Sequence, residues 1–288
     1  MFEKATKKQS KLRLAVFGPS GSGKTYTALR IAKGMSDKIA LIDTERRSAS
    51  KYADKFGFDV ANIEKATINN YVQTISEAAG VGYEVLIIDS LSHGWHELLQ
   101  EVEKIAKAKY RGNTWSAWSE GTPLQRQLVN AILDFPGHVI ATMRTKTEWT
   151  IETDDKGRNK PVRIGLSPEQ GKGIEYEFDM LIEMTPEHFA NIIKDRTGKY
   201  QDVTIDKPGE DFGKELMDWL NSGNVDETEK KQDELLVAIN ATKTVDELQT
   251  IWLDNQPLLN NAKFKKIVGN RKKELLIAAS VEPQNVES

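Results

Sequence analysis

The sequence predicts an α/β domain built on a mostly parallel central sheet flanked by helices, followed by a small C-terminal helical module. Two observations predict it. Short apolar runs rich in β-branched residues alternate with helical patterns, which indicates strands buried on both faces of a sheet. From about residue 225 the composition changes to charged helix formers. The predicted strands are 12–18, 38–44, 84–90, 138–143, 178–184 and 189–195.

Four helices are predicted between these strands, at 24–34, 69–80, 92–109 and 121–134. The last two are separated by "YRGNTWSAWSEG", whose glycines and polar residues indicate a loop. The stretch 144–173 has no sustained periodicity. A loop of that length inside a compact domain is usually functional or mobile.

The change in composition predicts a domain boundary, with a core at 1–224 and a helical module at 225–288. Three short amphipathic patterns follow the boundary, at 227–241, 244–254 and 261–279. The second pattern opens with Thr244 and Glu247, which have the spacing of a capping box. Their apolar positions suit a small helical core of their own.

Composition alone identifies no partner. The 288 residues carry a net charge of −3 with 29% charged and 39% hydrophobic residues, so any nucleic-acid contact requires a local patch. The absence of cysteine excludes disulfides and thiolate metal sites. No segment approaches the roughly 18 consecutive apolar residues that a membrane span requires. We expect a cytoplasmic protein without a membrane partner.

The stretch "GPSGSGKT" after the first predicted strand matches the P-loop pattern G-x-x-x-x-G-K-[ST] in full. Glycines there let the backbone approach phosphates closely, and the helix N-terminus that follows adds positive potential. Lys24 would reach the β- and γ-phosphates of ATP, and the Thr25 hydroxyl would ligate Mg²⁺. The residues predicted to bind the nucleotide are Gly18, Pro19, Ser20, Gly21, Ser22, Gly23, Lys24, Thr25 and Tyr26.

Two acidic residues follow other predicted strands. Asp89 ends "EVLIID", where a P-loop sheet places the second metal-site group, although a turn residue or helix N-cap has the same pattern. The next residue is Ser90 rather than glutamate, so hydrolysis needs a base from elsewhere. Glu45 in "ALIDTERRS" is the candidate, because it follows a strand whose end lies at the same sheet edge. A solvated loop acid is the alternative.

The set "GPSGSGKT", "LIDTE" and "LIIDS", in this order, resembles the RecA-type ATPase core. The likeness continues through "ATMRTK" and "EYEFDMLIEM" to "ANIIKDR" and covers about residues 12 to 220. More narrowly, it resembles the phage-encoded RecA-like ATPases of the Sak type. The resemblance implies ATP and Mg²⁺ as ligands, Glu45 as general base and Asp89 as metal residue. It places a γ-phosphate sensor at Thr142 or Arg144.

The resemblance also implies a positively charged finger. Lys194 and Arg196 in "NIIKDR" match the K-x-K or K-x-R pair with which related ATPases reach a neighbour's γ-phosphate. Added positive charge at the transition state is the physical reason for such a pair. That role requires a homo-oligomer, either a ring or a filament. Two solvated cations at a strand end are the alternative.

RecA-like proteins bind single-stranded DNA with two loops, and the matching positions are 110–120 and 145–172. Aromatic rings beside positive charge suit base stacking and phosphate contact. Packing of the tryptophans beneath the loop is an equal alternative, since their spacing fits one helical face. For the basic residues the alternative is a solvated hairpin. The predicted DNA-binding residues are Arg111, Trp115, Trp118, Lys146, Arg158, Lys160 and Arg163.

His93 and His96 lie one helical turn apart just after Asp89. Because no third ligand lies nearby in the sequence, we interpret them as helix-surface or packing residues and not as a metal pair.

The leading hypothesis is therefore a DNA-stimulated ATPase of phage recombination or single-strand annealing, located in the bacterial host cytoplasm, with a single-strand-binding protein as a further partner. One alternative is a P-loop kinase whose lid is 144–173. Another is a nucleotide-dependent loader or scaffold with slow hydrolysis.

Overall fold

The computed structural model describes residues 10–153, 159–223, 227–260 and 262–281. It confirms the α/β class: among these residues eight strands form one mostly parallel sheet with helices on both faces. The strands are β1 Arg13–Phe17, β2 Ile39–Asp43, β3 Asp59–Asn62, β4 Val85–Asp89, β5 His138–Met143, β6 Thr145–Thr153, β7 Asn159–Pro168, β8 Met180–Met184, β9 Phe189–Asp195 and β10 Thr204–Asp206. The helices are α1 Lys24–Met35, α2 Ile68–Val81, α3 Leu91–Lys109, α4 Thr114–Asp134, α5 Glu210–Asn221, α6 Glu227–Ala241, α7 Val245–Asp254, α8 Gln256–Leu259 and α9 Ala262–Val281.

The strand order in the sheet is β10-β9-β8-β1-β5-β4-β2-β3. The six strands from β8 to β3 pair in parallel, and β9 and β10 add an antiparallel edge. Asp43 lies opposite Asp89, and Phe17 lies opposite Met143. The carboxyl ends of β1, β2, β4 and β5 therefore meet at one edge of the sheet.

Alternate residues of the buried strands face opposite sides of the sheet. Phe17 of β1 packs in the cluster with α2, α3 and α4, whereas Leu14 and Val16 pack in the cluster with α1 and α5. A third apolar cluster is formed by residues of α6 to α9. Helix α6 also packs against α2, where Val237 lies next to Gly82.

Two of the predicted loops are instead regular structure. Helix α4 begins at Thr114 and not at 121, with the Asn113 side chain accepting a hydrogen bond from the Ser116 amide at 3.2 Å. Gly121 lies inside this helix, and a Cβ there would lie 2.4 Å from Val102 of α3. The glycine that resembles a helix break in the sequence thus permits two helices to pack closely.

The prediction of a loop at 144–173 is wrong, because β6 and β7 form an antiparallel hairpin over most of it. The register shifts between Glu148 and Trp149, as at a β-bulge. Polar residues predominate in "TKTEWTIET", so the apolar alternation that marks a half-buried strand is missing. The sequence also predicts neither of the short edge strands β3 and β10.

The amino end of β1 is held by buried polar groups that no motif marks. The Arg13 guanidinium donates to the carbonyl oxygens of Leu12, Leu133, Phe135 and Gly137 at 2.6–3.1 Å. Three of these carbonyls lie at and beyond the end of α4, so one side chain satisfies a helix C-terminus and anchors the strand that leads into the P-loop. Among the described residues no helix has the length and apolar character needed to cross a membrane.

The buried position of His138, the first residue of β5, predicts that the free energy of unfolding depends on pH. Its Nδ1 accepts the Leu12 amide at 3.0 Å, and burial, reinforced by Lys11 and Arg13, lowers its pKa from 6.5 to about 3. Because the unfolded chain binds the proton first, stability is lost as pH falls from 6.5 towards 3, by up to about 1.4 kcal/mol per pH unit. Urea unfolding between pH 7.5 and 5 should show this slope.

His138→Asn is the matched variant, since its amide oxygen can still accept the Leu12 N–H but does not titrate. The variant should lose less stability than the wild type over the same pH range. Equal slopes in the two proteins would assign the pH dependence to other groups.

Candidate active site

A cleft of about 770 Å³ lies at the carboxyl edge of the parallel strands. The P-loop after β1, the segment after β2, the end of β4 and the residue after β5 all contribute to it. The lining residues include most of the P-loop together with Tyr26, Glu45, Ser48, Tyr52, Asp89, Arg144, Thr145 and Glu169. Parallel pairing thus brings together side chains that are far apart in the sequence.

The P-loop backbone requires glycine at defined positions. Gly21 and Gly23 have φ angles of 80° and 86°, in the left-handed region that glycine tolerates best. A Cβ on Gly18 would lie 2.6 Å from the Met184 carbonyl oxygen and 2.7 Å from the Ser22 hydroxyl oxygen. The loop leads directly into α1, which begins at Lys24, so the free amides of that helix end face the cleft. This is a cradle for phosphate groups.

Lys24 extends over the loop that precedes it. Its ammonium donates to the carbonyl oxygens of Gly18 and Pro19, each at 2.9 Å. Burial lowers the pKa of Lys24, and the nearby carboxylates of Asp89 and Glu45 oppose that shift. Tyr26, the last predicted nucleotide-binding residue, packs edge-on against Tyr52 and Phe56 with ring centroids 5.4 and 5.3 Å away.

Asp89 is the buried carboxylate at the centre of the site, with 2% of its surface exposed. It accepts a hydrogen bond from Thr25 Oγ1 at 2.7 Å and another from the Thr142 hydroxyl. Burial raises the pKa of Asp89, while the two hydroxyl hydrogen bonds lower it. Asp89 and Thr25 therefore lie together as predicted, and Thr142 is directed at Asp89.

The oxygen donors of Thr25 and Asp89 fit Mg²⁺, which favours hard oxygen ligands and usually binds one or two protein groups together with phosphates and water. No group of three or more His, Asp or Glu side chains suitable for a metal occurs in the described part of the chain. The donor set thus suits a cation that is shared with a nucleotide, and does not suit a closed protein metal site.

Glu45 lies in the cleft and pairs with Arg144. Arg144 Nη2 is 2.9 Å from Glu45 Oε1 and 3.0 Å from Oε2, and Nε is 3.3 Å from Oε1. The buried Asp43 carboxylate shapes this loop by accepting the amides of Glu45 and Ala49 at 2.7 and 3.0 Å. Of the two sensor candidates, Arg144 extends to Glu45, whereas Thr142 is buried behind Asp89.

Several residues near Glu45 are not predicted by the sequence. Thr44 and His93 contact each other and lie beside Glu45, although the sequence alone indicates a surface or packing role for His93. Its position one turn after Asp89 is the signal that identifies it. Ser92 accepts the Arg144 amide at 2.9 Å and donates to the Glu169 carbonyl at 2.8 Å. No sequence pattern marks Ser92 or Glu169.

Comparison with protein families shows to which family the chain belongs. The chain matches the family described as an AAA domain over residues 10–216. The chain belongs to this AAA-domain family. It is accordingly a P-loop ATPase domain, and the matched residues include every group that lines the cleft. No curated protein sequence matches the chain.

The solved structures to which the chain is similar include secretion ATPases. One is a prototypical ATPase from the type III secretion system of pathogenic bacteria, with 14% identity and a TM-score of 0.36 over 94% of this chain and 81% of that one. Another is the assembled ATPase EscN with its central stalk EscO from enteropathogenic E. coli, with 14% identity and a TM-score of 0.41 over 99% of this chain and 69% of that one.

The predicted finger residues of the AAA domain lie away from its own cleft. Lys194 and Asp195 pair with the amino end of β8, at the opposite end of the sheet from the P-loop. Lys194 Nζ donates to the Glu175 carbonyl at 2.8 Å, and Arg196 pairs with Asp179 at 2.9 Å. Burial lowers the pKa of Lys194, with Arg196 adding to that shift. The fold does not bring these residues to the nucleotide site of the same chain.

The predicted DNA-binding residues differ in their exposure to solvent. Trp115 on the first turn of α4 is 88% exposed, and Arg111 in the preceding turn is also exposed. Trp118 instead stacks on Trp95 with ring centroids 5.6 Å apart. Lys146 at the start of the hairpin is exposed. Arg158 and the side chains of Lys160 and Arg163 lie outside the described residues.

Gly18→Ala tests the P-loop cradle of this ATPase domain. The added methyl group collides with the Met184 carbonyl, so the loop must shift, and we expect ATP affinity to fall at least tenfold, which is about 1.4 kcal/mol. Titration with a fluorescent ATP analogue measures this.

Gly57→Ala is the matched control, because a Cβ there meets no atom within 4 Å. It should bind the analogue as the wild type does. Equal affinity of the two variants would contradict the assignment of this loop as the phosphate site.

Proposed function

We propose that this ATPase couples Mg-ATP hydrolysis to single-stranded DNA and serves DNA recombination or strand annealing, with Glu45 as the base that activates water. The observation that carries the proposal is the position of Glu45, whose carboxylate lies in the phosphate cleft and is bound to Arg144 at the base of the β6–β7 hairpin. The base and the segment proposed to contact DNA are therefore joined by one side chain.

Binding of the triphosphate uses groups already directed into the cleft. The loop amides and the start of α1 would contact the phosphates, and Lys24 would exchange its bonds to the Gly18 and Pro19 carbonyls for phosphate oxygens. Thr25 and Asp89 would hold Mg²⁺, whose charge stabilises the phosphate oxygens during transfer. Thr142 keeps Asp89 oriented through its hydroxyl hydrogen bond.

Hydrolysis requires a water whose oxygen attacks the γ-phosphorus as the bond from that phosphorus to the β,γ-bridging oxygen breaks. The bond electrons remain on the oxygen of ADP, and the water proton passes to Glu45. Both Glu45 oxygens now contact Arg144. A γ-phosphate competes for the same guanidinium, because phosphate oxygens match its fork of donors. Movement of Arg144 to the γ-phosphate would release Glu45 for the water, which makes Arg144 the sensor.

The hairpin supplies the route by which DNA would act on this site. It begins at Thr145, directly after Arg144, and ends at Pro168, directly before Glu169. The Glu169 amide donates to the Arg144 carbonyl at 2.7 Å. A polynucleotide bound to the hairpin would therefore affect the position of the Arg144 backbone. The exposed Trp115, Arg111 and Lys146 suit stacking of unpaired bases beside a neutralised backbone.

The resemblance to Sak-type phage ATPases supports DNA as the effector and a recombination role. The same resemblance, which matches Lys194 and Arg196 to a finger pair, supports a homo-oligomer. Since neither residue lies near the cleft of its own chain, a catalytic role for them requires the cleft of a second copy. The proposals of a DNA effector and of a homo-oligomer do not depend on the assignment of Glu45 as the base.

Glu45→Gln tests the base. The amide keeps the size of the side chain but does not accept the proton, so we expect kcat for ATP hydrolysis to fall by about 10²-fold or more with little change in ATP affinity. Steady-state phosphate release measures the rate. Glu97→Gln on α3 is the control at a neighbouring glutamate, and a similar loss in both variants would argue against a specific role for Glu45.

Oligo(dT) should raise the ATPase rate of the wild type at low salt. Trp115→Ala and Lys146→Ala should each weaken that stimulation, because one removes a stacking surface and the other a cation that neutralises phosphate. The affinity for oligo(dT) should fall as salt rises, with a log–log slope of about −0.7 for each phosphate that the protein neutralises.

Lys38→Ala is the control for Lys146→Ala, since Lys38 is an exposed lysine at the opposite end of the sheet. If oligo(dT) leaves the wild-type rate unchanged at low salt, DNA is not the effector. Small-molecule phosphate acceptors and protein partners would then be assayed.

A further inference from the structure

His93 lies on the first turn of α3 with both ring nitrogens directed at the loop that carries Glu45. Its Nδ1 is 2.8 Å from Thr44 Oγ1, and its Nε2 is 3.5 Å from Glu45 Oε1. The side chain is 21% exposed. One ring therefore connects the end of β2, the start of α3 and the proposed base.

The partners of the two ring nitrogens indicate which of them carries the proton. Thr44 Oγ1 accepts the Ser90 amide at 3.0 Å, and the acceptors around its own proton are His93 Nδ1 at 2.8 Å and the carbonyl oxygens of Asp89 at 3.1 Å and Ser90 at 3.4 Å. Nδ1 is the nearest of these acceptors, and if Thr44 donates to it, Nε2–H faces the Glu45 carboxylate, so that each ring nitrogen meets a complementary partner. The other neutral tautomer would place the Nε2 lone pair against a carboxylate oxygen. The contacts thus favour a proton on Nε2.

The charge state of the ring agrees with this arrangement. Burial lowers the pKa of His93, Arg144 and His96 add to the shift, and Glu45 and Asp89 oppose it. A neutral ring with Nε2–H can donate to Glu45 without neutralising its charge.

We propose that His93 is a positioning residue for hydrolysis, which holds Oε1 of Glu45 when Arg144 leaves for the γ-phosphate. This inference rests on the proposed role of Glu45. Oε1 lies between Arg144 Nη2 at 2.9 Å and His93 Nε2 at 3.5 Å, so the carboxylate has a second donor within a small movement. Oε2 is then left free to accept the proton of water. Without His93 the released carboxylate would rotate, and the base would be misplaced.

Two substitutions by amide residues distinguish the contribution of Nδ1 from that of Nε2. Asn places its amide near the position of Nδ1 and keeps a partner for Thr44, but it does not extend to Glu45. Gln extends as far as Nε2 and can donate to Glu45. We therefore expect His93→Asn to lower kcat by about 10- to 100-fold with KM for ATP within about twofold, and His93→Gln to restore most of the rate.

The measurement is steady-state ATPase kinetics on the full chain, with affinity for a fluorescent ATP analogue measured in parallel. A double variant, His93→Asn with Glu45→Gln, should be no slower than Glu45→Gln alone, because both changes act on one group. Thr44→Val removes the hydroxyl that contacts the ring and should lower kcat, whereas Thr44→Ser keeps this hydroxyl and its bond to the Ser90 amide and should retain the wild-type rate. This pair provides a further test if His93→Asn does not fold.

The outcomes distinguish this inference from the proposed function. If Glu45→Gln keeps the wild-type rate, the base assignment and the role of His93 both fail. If Glu45→Gln is inactive while His93→Asn has wild-type kcat, only the role of His93 is overturned. Equal losses in the Asn and Gln variants, or a multiplied loss in the double variant, would also overturn it, because they indicate a structural contribution.

Discussion

The site depends on one buried carboxylate at the end of a central strand. Asp89 is surrounded by strands on both sides, and it is accommodated because hydroxyl groups from α1 and β5 donate to its two oxygens. An acid in an apolar sheet is costly unless it is satisfied in this way. The same hydrogen bonds align Thr25, the P-loop helix and the end of β5. The group that is suited to hold a cation is thus also the group that positions the elements around it.

The polar groups near Asp89 form two sets of contacts, one on each side of Glu45. Thr44, Ser90 and His93 link β2 to the start of α3, and His93 lies against one side of Glu45. Arg144 lies against the other side and continues into the hairpin base, where Ser92 joins the two chain segments. Glu45 therefore lies between His93 on α3 and Arg144, which directly precedes the hairpin. Such an arrangement allows a change in the hairpin to alter the freedom of the Glu45 side chain without moving the sheet.

Much of this architecture can be predicted from local patterns. The six predicted strands of the main sheet are apolar runs, and the P-loop spacing follows from the geometry of phosphate binding. The hairpin cannot be predicted in this way, because "TKTEWTIET" lacks the period that a buried strand face imposes. The start of α4 is equally difficult to predict, because Gly121 and Pro123 resemble a helix break. Packing against α3 at Gly121 overrides that local preference.

The sequence by itself determined the fold class, the phosphate loop and the residue types at the strand ends, because each of these is encoded over a few consecutive residues. Only the tertiary structure decided which of those side chains meet. The pairing of Glu45 with Arg144, the approach of His93 to Glu45 and the separation of Lys194 from the cleft all depend on strand order and register. Those are properties of long-range pairing, to which short-range periodicity and motif spacing are insensitive.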